Sequence, residues 1–164
     1  MAKPIPDGFY TITPHIIVSD TAKAIEFYKK AFGAHESERF MMPDGKAVMH
    51  AQLKIGNSML MLGNEFPPAC LSPKSRGGTS VSLHLSVENA DTVFERAVKA
   101  GCTVKMPMTD QFWGDRYGQV EDPFGHQWSI ATHKQDLTQE QIAAKAKAFF
   151  ANMQKKSAPE MVTA

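Results

Sequence analysis

Thr13-Pro14-His15-Ile16-Ile17-Val18 and Ser82-Leu83-His84-Leu85-Ser86-Val87 are the stretches on which the reading of the fold turns. They stand 69 residues apart, and the same offset carries Glu26 onto Glu95, Lys30 onto Lys99, Ala31 onto Ala100 and Gly56 onto Gly125. Matches that hold one register over so long a stretch mark a duplicated unit rather than shared composition. Each copy sets a histidine at the same point of its first apolar run. A duplicated chain usually folds as two similar halves with its site between them, so His15 and His84 are the first candidates for chemistry.

Working outward, Tyr10–Val18 is rich in isoleucine, valine and threonine and is expected to be a strand. Ser19-Asp20 offers a cap to a helix over Thr21–Phe32, with Ala24, Tyr28 and Ala31 on one face and Gly33 at its stop. Strands follow at Glu36–Met42, Ala47–Ile55 and Ser58–Leu62, with turns at Pro43-Asp44-Gly45 and Gly56-Asn57. The second half repeats this order. It has a strand at Ser80–Val87, a helix at Ala90–Ala100 capped by Asn89 and stopped by Gly101, and strands near Thr103–Met106, Tyr117–Glu121 and His126–Thr132. The expected fold is α+β, two βαβββ modules forming a cupped, curved mixed sheet around a cleft, plus a C-terminal helix. The modules are placed at 8–66 and 79–134, the Pro- and Gly-rich linker at 67–78, and the helix at 138–153 behind the capping box Thr138-Gln139-Glu140-Gln141. Ile142, Ala146, Phe149 or Phe150, and Met153 form that helix's apolar stripe, and Ser157–Ala164 is expected to fray.

The balance of 18 basic and 17 acidic residues gives a net charge of +1, which argues against a nucleic-acid or membrane-surface binder. Lys145, Lys147, Lys155 and Lys156 read as a solvated helix face. No stretch approaches the ~20 apolar residues of a membrane span, and the N-terminus lacks the apolar core of a signal peptide. Cys70 and Cys102 give neither a disulfide framework nor a paired metal spacing, so reduced thiols and a cytoplasmic location are expected. There is no Gly-x-Ser-x-Gly, no phosphate-binding loop and no Cys-His motif.

The paired βαβββ pattern with its two histidines resembles the vicinal oxygen chelate superfamily, which groups glyoxalases, bleomycin-resistance proteins and dioxygenases. Asp122-Pro123-Phe124-Gly125-His126 is typical of that superfamily's last hairpin, and Gln111 to Gly118 looks like its PhnB-like branch. The resemblance spans about Tyr10 to Thr132. It implies a ligand cleft between the modules and, in metal-using members, ligands in the pattern His, Glu, His, Glu. His15 and His84 fill the histidine positions. The carboxylates belong four residues beyond each turn glycine, and counting from Gly56 and Gly125 gives Leu60 and Ser129, neither a carboxylate.

Two neutral imidazoles hold a divalent ion weakly, since such an ion wants three or four protein donors. Metal binding would need His50, Gln52, Gln119 or Glu121 as substitutes, and the 69-residue offset pairs His50 with Gln119 and Gln52 with Glu121. Two functions stay open. One is a binding protein with no cofactor, in which His15 and His84 orient a small-molecule ligand beside Leu60, Ser129, His50 and Gln119. The other is a lyase, isomerase or dioxygenase using Zn, Ni, Fe or Mn, although lactoylglutathione lyase activity is not expected. Phe112-Trp113-Gly114-Asp115-Arg116-Tyr117 would close the pocket, with Trp113 and Tyr117 stacking on ligand and Arg116 meeting an anionic group. A homodimer is expected, because open sheet edges need covering and the C-terminal helix suits that task.

Overall fold

Pro14 sets where the first strand begins. Its carbonyl accepts from Met61 N, but it has no N–H to continue a ladder backwards, and β1 is the short His15–Val18 instead of Tyr10–Val18. Residues 10–13 lie outside the sheet, with Ile12 86% exposed. The computed structural model describes residues 2–157, with side chains to 153; residues 158–164, where fraying is expected, lie outside them.

After β1 comes α1 (Thr21–Phe32), whose N-cap Asp20 accepts from Lys23 N and whose Gly33 closes it in the left-handed region at φ 67°. β2 (His35–Met41), β3 (Val48–Ile55) and β4 (Ser58–Asn64) complete the first module in the order β1-β4-β3-β2, with β1 parallel to β4 and the rest antiparallel. The linker carries a short helix unforeseen in the sequence, α2 (Pro73–Arg76), capped by Ser72.

The second module repeats the plan with β5 (Ser82–Ser86), α3 (Ala90–Ala100), β6 (Thr103–Asp110), β7 (Asp115–Glu121) and β8 (Gln127–His133), in the order β5-β8-β7-β6. The two four-stranded sheets are not hydrogen-bonded to each other. They share one core through their helix-bearing faces, where Phe32 of α1 meets Trp128 of β8 at 4.4 Å between ring centres. Asp122 ties the halves together. Its Oδ2 accepts from Tyr28 Oη at 2.7 Å and Trp128 Nε1 at 2.8 Å, and its Oδ1 accepts from Phe124 N and His126 N. A buried carboxylate with four donors is fully satisfied, and these donors come from both modules.

The last element, α4 (Gln139–Ser157), opens on the expected capping box: Gln141 N donates to Thr138 Oγ1 while Thr138 N donates to Gln141 Oε1. Phe149 and Phe150 rest on Phe112 at 5.5 and 5.9 Å, and Ile142 and Ala146 are half-buried. Much of the stripe still faces solvent, with Phe149 38% and Phe150 54% exposed.

Candidate functional site

Strand alternation sorts the candidates by face. On the first sheet Ile16, Val18, Ala51, Leu53, Leu60 and Leu62 point to the core, so His15, Ile17, His50, Gln52 and Met61 stand on the open face opposite the helices. On the second, Val120, Trp128 and Ile130 are core, and His84, Ser129, Gln119 and Tyr117 stand on the open face.

Pairing fixes the rows across each open face. His15 lies beside Met61, and Met61 beside Gln52; the next row is Ile17, Gly63, His50 and Phe40. In the second module His84 lies beside Ser129 and Gln119, and Ser86 beside Ala131 and Tyr117. Two equivalences drawn from a constant offset therefore fail: His50 corresponds to Tyr117, not Gln119, and Gln52 to Gln119, not Glu121. Glu121 is engaged at the rim by Lys105 at 3.2 Å.

Leu60 is displaced for the same reason. The first hairpin closes between Ile55 and Ser58 and the second between Glu121 and Gln127, so counting from the glycine lands one residue short in the first module. A one-residue slip reverses the face. Leu60 sits opposite Leu53 in the core, and Met61 is the residue beside His15.

The second open face is a connected set of uncharged polar and aromatic groups. His84 Nδ1 is 2.8 Å from Ser129 Oγ, and Gln119 Nε2 donates to Tyr117 Oη at 2.7 Å. The His84 and Tyr117 rings are near parallel at 6.2 Å, and Trp113 meets Tyr117 edge-on at 5.5 Å while its Nε1 donates to Asp115 Oδ2.

The first open face centres on His15 and His50, edge-on at 5.2 Å. Gly63 makes this possible: a Cβ there would lie 2.9 Å from Met49 O and 3.6 Å from His15 Nε2. Partial burial, and then the facing His50 ring, lower the His15 pKa below the usual histidine value, which favours the neutral imidazole.

Arg116 cannot share a face with Tyr117, its neighbour in sequence. It turns to α3, where Nη2 and Nε meet Asp91 at 2.7 and 3.0 Å, and it is not a cleft contact for an anionic ligand. At the end of the cleft strands His133 forms a cluster that sequence reasoning missed. Its Nδ1 is 2.8 Å from Asp115 Oδ1 and its Nε2 is 2.9 Å from Asp136 Oδ1. Asp136 follows His133 by three residues, but Asp115 precedes it by 18, so no local motif announces the whole cluster.

Two cavities of about 760 and 590 Å³ lie beside the edge strands, the first against β1 and the second against β5. The larger is lined by His15, Ile17, Val81, Leu83, Arg76 and His126; the smaller by Ser82, His84, Ser86, Leu60, Phe32 and Trp128. His15 and His84 thus line different cavities.

The sequence profile of the Glyoxalase/Bleomycin resistance protein/Dioxygenase superfamily matches residues 10–130. The chain belongs to that superfamily. The uncharacterized protein Mb0911c of Mycobacterium bovis is 45% identical over 137 residues, covering 81% of this chain and 90% of that protein. A PhnB protein from Bacillus cereus shares the fold at a TM-score of 0.59 and 20% identity, covering 75% of this chain and 99% of its own. The fosfomycin resistance protein FosX from Listeria monocytogenes, complexed with Mn(II) and a sulfate ion, superposes at 0.56 with 17% identity, covering 80% of this chain and 95% of its own. Divalent metals are therefore bound within this fold. In this chain the positions beside the two histidines hold Met61 and Ser129, and among the described residues no three His, Cys, Asp or Glu side chains gather to hold an ion. The donor set does not fit Zn, Ni, Fe or Mn. No helix among the described residues is long and apolar enough to cross a membrane.

Proposed function

We propose that this superfamily member is a small-molecule-binding protein whose ligand lies in the cleft between the two modules, against the open face of the second sheet. The observation that carries this reading is the pairing of His84 with Ser129, which commits one imidazole nitrogen to a hydroxyl where a metal-using relative would need a carboxylate. Around that pair the face offers hydrogen-bonding groups and rings with no unpaired formal charge: Gln119, Tyr117 and Trp113. Such a surface suits a planar, neutral ligand that stacks on aromatic rings and exchanges hydrogen bonds with His84 and Gln119. Calorimetric titration with a panel of uncharged planar heteroaromatics tests it. Micromolar binding that falls at least tenfold in Tyr117→Ala is expected; failure of every compound to bind would end the reading.

The alternative is a metal-dependent lyase, isomerase or dioxygenase, and the closeness of His15 to His50 is what favours it. It needs at least one further donor. Elemental analysis of untagged protein decides: about one equivalent of metal, lost in His15→Ala, would establish it. Turnover of the methylglyoxal–glutathione adduct is expected to be absent with or without added nickel or zinc. The protein is further proposed to be cytoplasmic, on its unpaired Cys70 and Cys102, and to be a homodimer, on the exposed Phe149 and Phe150 of α4.

A further inference from the structure

The larger cavity carries a charge that nothing among the described residues balances. Arg39 and Arg116 meet the carboxylates of Glu36 and Asp91, and Arg96 Nε donates to Ala31 O. The remaining arginine, Arg76, has no side-chain hydrogen bond or ion pair to any described residue. It lines the cavity against β1, and none of the residues lining that cavity is acidic. An arginine keeps its charge at any working pH and presents its donors as a planar fork that fits an oxyanion.

The short helix that carries Arg76 is anchored. Its cap Ser72 is fully buried, and Glu65 Oε2 accepts from Ser72 N at 2.9 Å and from Ser75 Oγ at 2.7 Å. The carboxylate bound to α2 is thereby committed to two serines and not to the guanidinium. On the other side a Cβ at Gly125 would lie 3.1 Å from Pro73 Cβ, so the turn glycine of the second module lets α2 pack close. α2 is thus tied to the first module by Glu65 and packed on the second at Gly125.

The rest of the cavity is mixed. Ile17, Leu71, Val81 and Leu83 give it an apolar wall, and His15 and His126 add polar atoms. His126 Nε2 donates to Ile17 O at 2.9 Å, which leaves its Nδ1 as an acceptor. The lowered pKa of His15 keeps that ring neutral. Neither ring carries the charge that an anion seeks, so an anionic head belongs at Arg76. About 760 Å³ is room for a whole small molecule and not only for an inorganic ion.

We propose that this cavity is a second ligand site, which takes a small organic anion with its oxyanion head on Arg76 and an apolar body against Val81 and Leu83. It does not depend on the neutral ligand assigned to the His84 face.

The test is calorimetric titration of the whole protein with cyclohexanecarboxylate, its uncharged amide, cyclohexyl phosphate and inorganic phosphate. Ring C–H spectra of His15, His126 and His84 are followed at each step. At least one of the two cyclohexyl anions is expected to bind tenfold or more above the amide, moving the His15 and His126 signals and leaving His84 in place. Whichever binds better names the head as carboxylate or phosphate. Arg76→Gln is expected to remove the preference for the anion with no change in Tm, since the side chain has no partner to lose. Lys74→Gln, which alters a neighbouring cation that does not line the cavity, is expected to keep it. Equal binding of anion and amide would overturn the proposal, as would a preference that survives Arg76→Gln or is lost in Arg96→Gln instead. Inorganic phosphate binding as tightly as cyclohexyl phosphate would overturn the apolar body. Planar heteroaromatics are scored by Tyr117→Ala and the cyclohexyl anions by Arg76→Gln, so either site can fail without the other.

Discussion

Asp122 shows how much one side chain can hold. Four donors converge on its buried carboxylate, and Asp122→Ala would strand the Tyr28 hydroxyl, the Trp128 indole N–H and two backbone amides. Breaking such a network costs about 3–5 kcal/mol. Urea denaturation of the variant should show that loss, and a loss under ~1 kcal/mol would mean that water replaces the carboxylate. Asp122-Pro123-Phe124-Gly125 is legible as a turn, but its partner Tyr28 lies 94 residues away. Sequence spacing carries no trace of such a contact. Burial and the Asp122 carboxylate both push the Tyr28 phenol well above its usual pKa, so it stays protonated and donating throughout the working range.

Elements are the easier scale. Both helices of the repeat begin and end where Asp20, Gly33, Asn89 and Gly101 place them, because caps act locally. Strand existence is legible too. Strand register is not, because it is set by pairing across a turn, and the two hairpins turn over different lengths. That difference is testable. Met61→Glu puts a carboxylate beside His15, near its neighbour His50, and nickel binding should appear by calorimetry. Leu60→Glu should bind none and lose roughly 3–5 kcal/mol by burying an unpaired charge opposite Leu53. If the Leu60 variant binds nickel instead, the register is wrong.

The strap that follows β8 has its own dependence on pH. Hydrogen bonds that the His133 ring donates to Asp136 and then to Asp115 raise its pKa above the usual value. A raised histidine contributes fully below the ordinary value near 6.5 and loses that contribution as pH rises through the raised one. Hydrogen exchange at residues 134–138, corrected for intrinsic rate, should therefore quicken on the alkaline side of His133. His133→Gln should remove the dependence; its persistence would assign it to another group.

At the scale of the whole molecule the two modules share a core and one carboxylate clasp, so they should unfold together. Calorimetry with equal van't Hoff and calorimetric enthalpies is the expected result. Removal of residues 138–164 should uncover Phe112 and lower solubility, and light scattering of the full chain at micromolar concentration should give twice the mass of one chain. A single-chain mass would sink the dimer.

The halves being related by a repeat has a final consequence for the two cavities. One cavity takes in β1 with the start of β5, and the other the lead-in to β1 with the whole of β5, so His15 and His84, equivalent in the repeat, would meet different parts of any ligand that filled both.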